Sequence, residues 1–165
     1  MKRPLWLLLP LSVLGLDVLS KLWILSRLRE GESLAVIPGF FNLALGFNTG
    51  AIFGSLQGLP EWARTLLFTA TGILALLYFG SLFLKDGTPS MERVALGLIL
   101  GGALGNGLDR LMHGHVVDFL DFVFGGWHYW TFNLADSAIV CGAILYGLHL
   151  LRKPTGEAER NKEKT

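Results

Sequence analysis

The sequence predicts an all-α membrane protein of four transmembrane helices, with a small extracytoplasmic β-element between helices 1 and 2. Three observations lead there. The 165 residues are 52% hydrophobic and only 16% charged, whereas soluble domains average about 25% charged. Four stretches are apolar over the roughly 20 residues a helix needs to cross the hydrocarbon layer. Between the first two lies a connection rich in aromatic and apolar residues, too long for a mere link. The length suits one compact unit, so residues 1–165 are read as a single integral-membrane domain.

The first span covers Pro4–Ser26. Its Met1-Lys2-Arg3 start resembles a signal peptide, but no small-x-small cleavage site follows, and Asp17 and Lys21 interrupt its second half. It is therefore expected to be retained. The connection 27–60 holds FFNLALGF, the turn former Asn48-Thr49-Gly50 and AIFGSL in succession, and reads as a hairpin or small sheet on the membrane surface. Its apolar character suits contact with lipid or an apolar substrate.

The second span is Glu61–Leu84, and KDGTPSMER is a short turn into the third, Met91–Met112. There Gly97, Gly101 and Gly105 recur every four residues, a pattern that lets helices approach closely in lipid. The second outer connection, His113–Trp130, carries VVDFLDFVFGGWHYW. It reads as a loop whose Trp127, Tyr129 and Trp130 suit the headgroup layer. The fourth span is Thr131–Leu151, followed by a polar tail, 154–165, expected to be a disordered cytoplasmic end.

Lys and Arg set the expected orientation. With both termini in the cytoplasm, the inside holds Lys2, Arg3, Lys85, Arg93, Arg152, Lys153, Arg160, Lys162 and Lys164. The outside then keeps fewer: Arg27, Arg29, Arg64 and Arg110. A net charge of +1 gives no footprint for nucleic acid. The single cysteine, Cys141, excludes an internal disulfide and is expected to be a small buried hydrophobe. His113, His115 and His128 do not complete a ligand set, so no metal is expected.

Charges at membrane depth are costly and carry the functional signal. Asp17 and Lys21 are four apart and share a helical face, suited to an ion pair. Asn106, Asp109 and Arg110 cluster near the outer end of the third span, where an Asp–Arg contact would satisfy both charges. Arg110 could instead meet a lipid phosphate or a substrate backbone. Asp118 follows that span and Asp136 begins the fourth, so the two fall at one leaflet; Asp121 competes from further into the loop. Asn133 and Asp136 also have the spacing of a helix-capping pair. Two aspartates facing one water could cleave a peptide, one ionised to take the water's proton and one protonated to donate. A small transporter or channel using these charges is the alternative, as is a non-catalytic scaffold. The gathering of Asp17, Lys21, Asp109, Asp118 and Asp136 towards one side speaks against a conduit.

Four stretches together, LDVLSKLW, FNTGAIFG, GGALGNGLDRLMHGHVVDFLDF and FNLADSAIV, make the chain resemble bacterial lipoprotein signal peptidase (signal peptidase II) over nearly its whole length. The resemblance implies an aspartyl endopeptidase of the inner membrane, with both termini cytoplasmic and its site at the outer leaflet. It would cleave on the N-terminal side of the lipidated cysteine of diacylglyceryl-modified prolipoproteins. It implies Asp118 and Asp136 as catalytic. Asp17, Lys21, Asn48, Gly50, Asn106, Asp109, Arg110, Asn133 and Ala135 would support them or hold substrate, and 27–60 would cradle it. Neither metal nor organic cofactor is implied; the partners are the prolipoprotein and membrane lipid, and a monomer is expected. One local departure is HYWTFNLAD, where Trp130 and Thr131 stand in place of a proline common in the family.

Overall fold

The computed structural model describes residues 3–50 and 58–152; the segment AIFGSL and the tail 154–165 lie outside those residues. After a turn of helix, α1 (Arg3–Trp6), four helices long and apolar enough to cross a membrane follow: α2 (Leu8–Leu25), α3 (Glu61–Leu84), α4 (Ser90–His113) and α5 (Leu134–Arg152). The expected spans are borne out to within a few residues. α5 starts at Leu134 rather than Thr131 because Asn133 caps it: its side-chain Oδ1 accepts from the Asp136 backbone N–H at 2.8 Å.

α4 is the central helix. Of its apolar window 56% is buried, against 6% for α3, which leaves most of α3 facing hydrocarbon. Glycine explains the closeness. A Cβ on Gly97 would press on Leu9 of α2, one on Gly101 on Val13, and one on Gly105 on the Asp17 carboxylate. The next step of four continues as the ion pair between Lys21 and Asp109, at 2.8 Å. α2 and α4 therefore run parallel in register, with backbone-to-backbone approach where lipid provides no hydrophobic drive. On its other face α4 meets α5 the same way, since a Cβ on Gly102 would collide with the Ala135 carbonyl and one on Gly142 with the Ala95 carbonyl. Cys141, expected to be buried, is exposed on α5.

Above one end of this bundle lies a four-stranded antiparallel sheet in the order β1 (Ser33–Ile37), β2 (Phe41–Asn48), β3 (Val116–Phe124), β4 (Trp127–His128). This corrects one expectation. The second outer connection is not a loop: nine of its residues form β3, buried along most of its length, and Gly125-Gly126, both at positive φ, turn it back into β4. The hairpin expected in the first outer connection forms between β1 and β2, joined through Gly39 at φ 76°, and the other neighbour of β2 is β3, with Gly46 opposite Asp118 and Asn48 opposite Val116. Ile24, Leu45, Val117 and Phe119 form the core that seats the sheet on the end of α2.

The chain then returns from the sheet to the bundle under tight control. Phe132 exchanges backbone hydrogen bonds with Leu120, N–H to carbonyl at 3.1 Å and 2.8 Å. That pairing sets Asn133 beside Asp118 and starts α5 against the middle strands.

Candidate active site

The polar residues singled out from the sequence converge at the sheet end of the bundle. At the base, the Lys21 ammonium forms ion pairs with Asp17 Oδ2 at 2.7 Å and Asp109 Oδ2 at 2.8 Å, and donates a hydrogen bond to Asn106 Oδ1 at 3.2 Å. Asp17, with no exposed surface, also accepts from the Ala135 N–H at 3.0 Å, and Asp109 accepts from the Val117 N–H at 3.0 Å. These two carboxylates thus tie α2 to the first turn of α5 and α4 to β3. The expected Asp109–Arg110 contact does not form, because neighbours in a helix point apart. Arg110 instead donates to the Asn106 carbonyl at 3.3 Å and lies 5.4 Å over the Phe68 ring.

Above that base, three asparagines aim their amide groups by the same device. Each has its Oδ1 occupied by a donor, so each must turn its NH2 towards an acceptor. Asn106 Oδ1 accepts from Lys21 and from Asn133 Nδ2 (3.0 Å), and its own Nδ2 donates to Asp136 Oδ1 at 2.7 Å. Asn133 Oδ1 accepts from the Asp136 N–H, leaving Nδ2 to reach Asp118 Oδ1 at 2.8 Å, with the Val117 carbonyl at 3.2 Å. Asn48 Oδ1 accepts from the Gly50 N–H at 2.8 Å, and Nδ2 donates to Asp118 Oδ2 at 3.0 Å. Gly50 is required for that turn: its φ is 94°, and a Cβ there would lie 2.5 Å from the Phe68 ring.

Asp118 and Asp136 meet on Asn133. Its Nδ2 holds one carboxyl, and its backbone N–H reaches Asp136 Oδ2 at 3.3 Å, completing a reciprocal cap of the capping-box kind. Asp118 is 2% exposed. Burial, and then the charge of Asp136, push its carboxyl up from 3.8 to about 7, against the opposing pull of Asn48, Asn133 and Lys21. A carboxyl that keeps its proton to neutral pH beside a second carboxyl can donate to a developing oxyanion while its neighbour takes a proton from water.

Asp121, the competing carboxylate, does other work. It is 3% exposed and engaged by Asn42 Nδ2 at 2.9 Å and by the His128 ring Nδ1 at 2.9 Å, which clasps β4 across β3 to β2. Sequence reasoning overlooked this clasp, Phe68 under Gly50 and Arg110, and the Val117 backbone between Asp109 and Asn133. The nine residues VVDFLDFVF, apolar except for Asp118 and Asp121 and followed by Gly-Gly, were the signal for β3, from which the clasp and the Val117 contacts follow.

Comparison with known proteins agrees over most of the chain. A profile of the family described as signal peptidase (SPase) II matches residues 9–152. The lipoprotein signal peptidases of Burkholderia vietnamiensis and Burkholderia multivorans are each 48% identical over 151 residues, 92% of this chain and 90% of theirs. Two bacterial membrane enzymes solved by the in meso method are similar in structure. One has a TM-score of 0.80 at 33% identity, over 93% of this chain and 91% of that one. The other has 0.79 at 34%, over 92% and 95%.

Proposed function

The chain belongs to the signal peptidase II family, multi-pass peptidases of the bacterial inner membrane that remove signal peptides from prolipoproteins, and on that premise we propose that Asp118 and Asp136 cleave by activating one water. Asp136 takes a proton from the water as its oxygen bonds to the scissile carbonyl carbon, and Asp118 gives its proton to the carbonyl oxygen. The carbon–nitrogen bond of the resulting gem-diol then breaks. The leaving amine takes the proton from Asp136, and a diol hydroxyl returns one to Asp118. Asn133 and Asn48 hold Asp118, and Asn106 holds Asp136. The observation that carries this reading is the meeting of both carboxyls on Asn133, with Asp118 shifted to about 7.

The substrate is a prolipoprotein whose cysteine carries diacylglycerol, cut on the N-terminal side of that cysteine. The termini lie in the cytoplasm, and the carboxyl pair lies at the outer leaflet, where the acyl chains would anchor the substrate. The excess of Lys and Arg at the other ends of the helices supports this orientation. A conduit is disfavoured, since α4 bears no charged residue between Arg93 and Asp109.

The test is cleavage of a diacylglyceryl-modified precursor by purified protein. Asp118→Asn and Asp136→Asn should each abolish turnover while the thermal unfolding of the protein is retained. Near-normal turnover in either would overturn the pair. An unlipidated precursor should be a poor substrate, and equal cleavage of both forms would refute the lipid requirement.

A further inference from the structure

Two cavities flank the carboxyl cluster, and they differ in where their walls come from. One, of about 390 Å³, runs between α3, α4 and α5 from Asn106 and Arg110 down to Leu76 and Phe79. It is almost wholly aliphatic or aromatic and lies within the spanning helices. The other, of about 220 Å³, is lined by Gly46, Phe47, Asn48, Thr49, Asp118, Trp130 and Thr131. None of these belongs to a spanning helix; they come from β2, the turn after it, β3 and the connection before α5. Trp130, 53% exposed, marks its open rim.

A precursor cut at Asp118 and Asp136 has two unlike halves. The signal peptide and the acyl chains are apolar and remain in hydrocarbon. The mature chain beyond the modified cysteine is destined for water and must leave on the sheet side. The smaller cavity is the one beside Asp118, its walls mixing the Asn48 amide and threonine hydroxyls with the Phe47 and Trp130 rings, and it lies on that side. Its volume is below the roughly 300 Å³ at which small-molecule pockets begin, the room of a single side chain. Its floor is a glycine: a Cβ on Gly46 would stand 3.7 Å from Thr131 Oγ1 and 4.0 Å from the Asp118 carbonyl oxygen, in ordinary contact. A Cβ at 46 is therefore accommodated, and the atoms beyond it would enter the space that Gly46 lines.

We propose that this pocket receives the side chain of the residue following the modified cysteine, and that Gly46 and Thr131 set the size it accepts. This inference rests on the peptidase reading above.

Modified precursors carrying Ser, Leu or Trp after the cysteine test it, read as ratios of kcat/KM within each enzyme. Gly46→Val should lower the Leu-to-Ser ratio by about tenfold or more, since a pocket lacking room for a few methylenes discriminates on that scale. Thr131→Ala should raise the Trp-to-Ser ratio. Ratios unmoved in both variants would overturn the inference, as would the same shifts when the varied residue precedes the scissile bond. If wild-type protein leaves the modified Ser precursor uncut, the peptidase reading fails and this one with it; if it cuts while the ratios stand still, only this one fails.

Discussion

Replacing Asn48 by alanine should move the alkaline limb of activity upward, although it removes a group that holds a proposed catalytic residue. Asn48 Nδ2 donates to Asp118 Oδ2 at 3.0 Å, and that bond favours the ionised carboxylate. A hydrogen bond to a charged group contributes about 1.5–3 kcal/mol, and one pKa unit corresponds to about 1.4 kcal/mol. The half-buried position lets water replace part of the bond, so the lower end applies, about one unit. The sign follows from the role. Asp118 works as the protonated partner, so activity is present below its pKa and lost as pH rises through about 7. Without Asn48 the carboxyl holds its proton longer, and that loss moves to about 8. The assay is kcat/KM for a modified precursor from pH 5 to 9.5, which reports ionisations of the free enzyme. Thermal unfolding of each protein checks that the Gly50 turn survives. A limb that stays in place, or moves down, would refute the assignment of the proton to Asp118. Movement of the acid limb instead would give that proton to Asp136.

Three further outcomes follow from the base of the site and from the helix contacts. Lys21→Met leaves the Asp17 and Asp109 carboxylates buried without their shared cation, and should destabilise the protein by about 3–5 kcal/mol; a loss below about 1 kcal/mol in detergent unfolding would mean the network is not held by charge. Gly102→Val drives a side chain into the Ala135 carbonyl and so displaces the first turn of α5 with Asp136. About 1–3 kcal/mol of stability and at least about tenfold in kcat should go with it. Gly147→Ala, where a Cβ meets nothing within 4 Å, should be neutral or slightly stabilising by the same unfolding measurement.

The legible features are those imposed by short-range rules. Hydrocarbon demands about 20 apolar residues per crossing, so the four spans could be read directly, and with them the common end at which Asp17, Asp109 and Asp136 fall. The cap between Asn133 and Asp136 is a three-residue relation, and Gly97, Gly101 and Gly105 a four-residue one; both were visible as spacing. β3 was not, because a strand buried on both faces lacks the polar alternation of a half-exposed one, and Asp118 and Asp121 break up its apolar residues. Without β3 the connection looked like a loop, and Asp121 looked like a rival to Asp118 rather than the anchor of His128 and Asn42.

From the sequence alone came which residues would be polar at membrane depth and at which end of the bundle they would gather. Tertiary structure decided how they join. Phe132 bound to Leu120 carries Asn133 to Asp118, Gly102 and Gly105 let α5 and Asp17 close on α4, and Lys21 meets Asp109 from a helix far away in sequence. The reason is physical: a hydrogen bond between groups 15 to 118 positions apart leaves no periodic trace along the chain. Its partners are chosen by which backbones can approach, and the helix glycines and the buried strand settle that together.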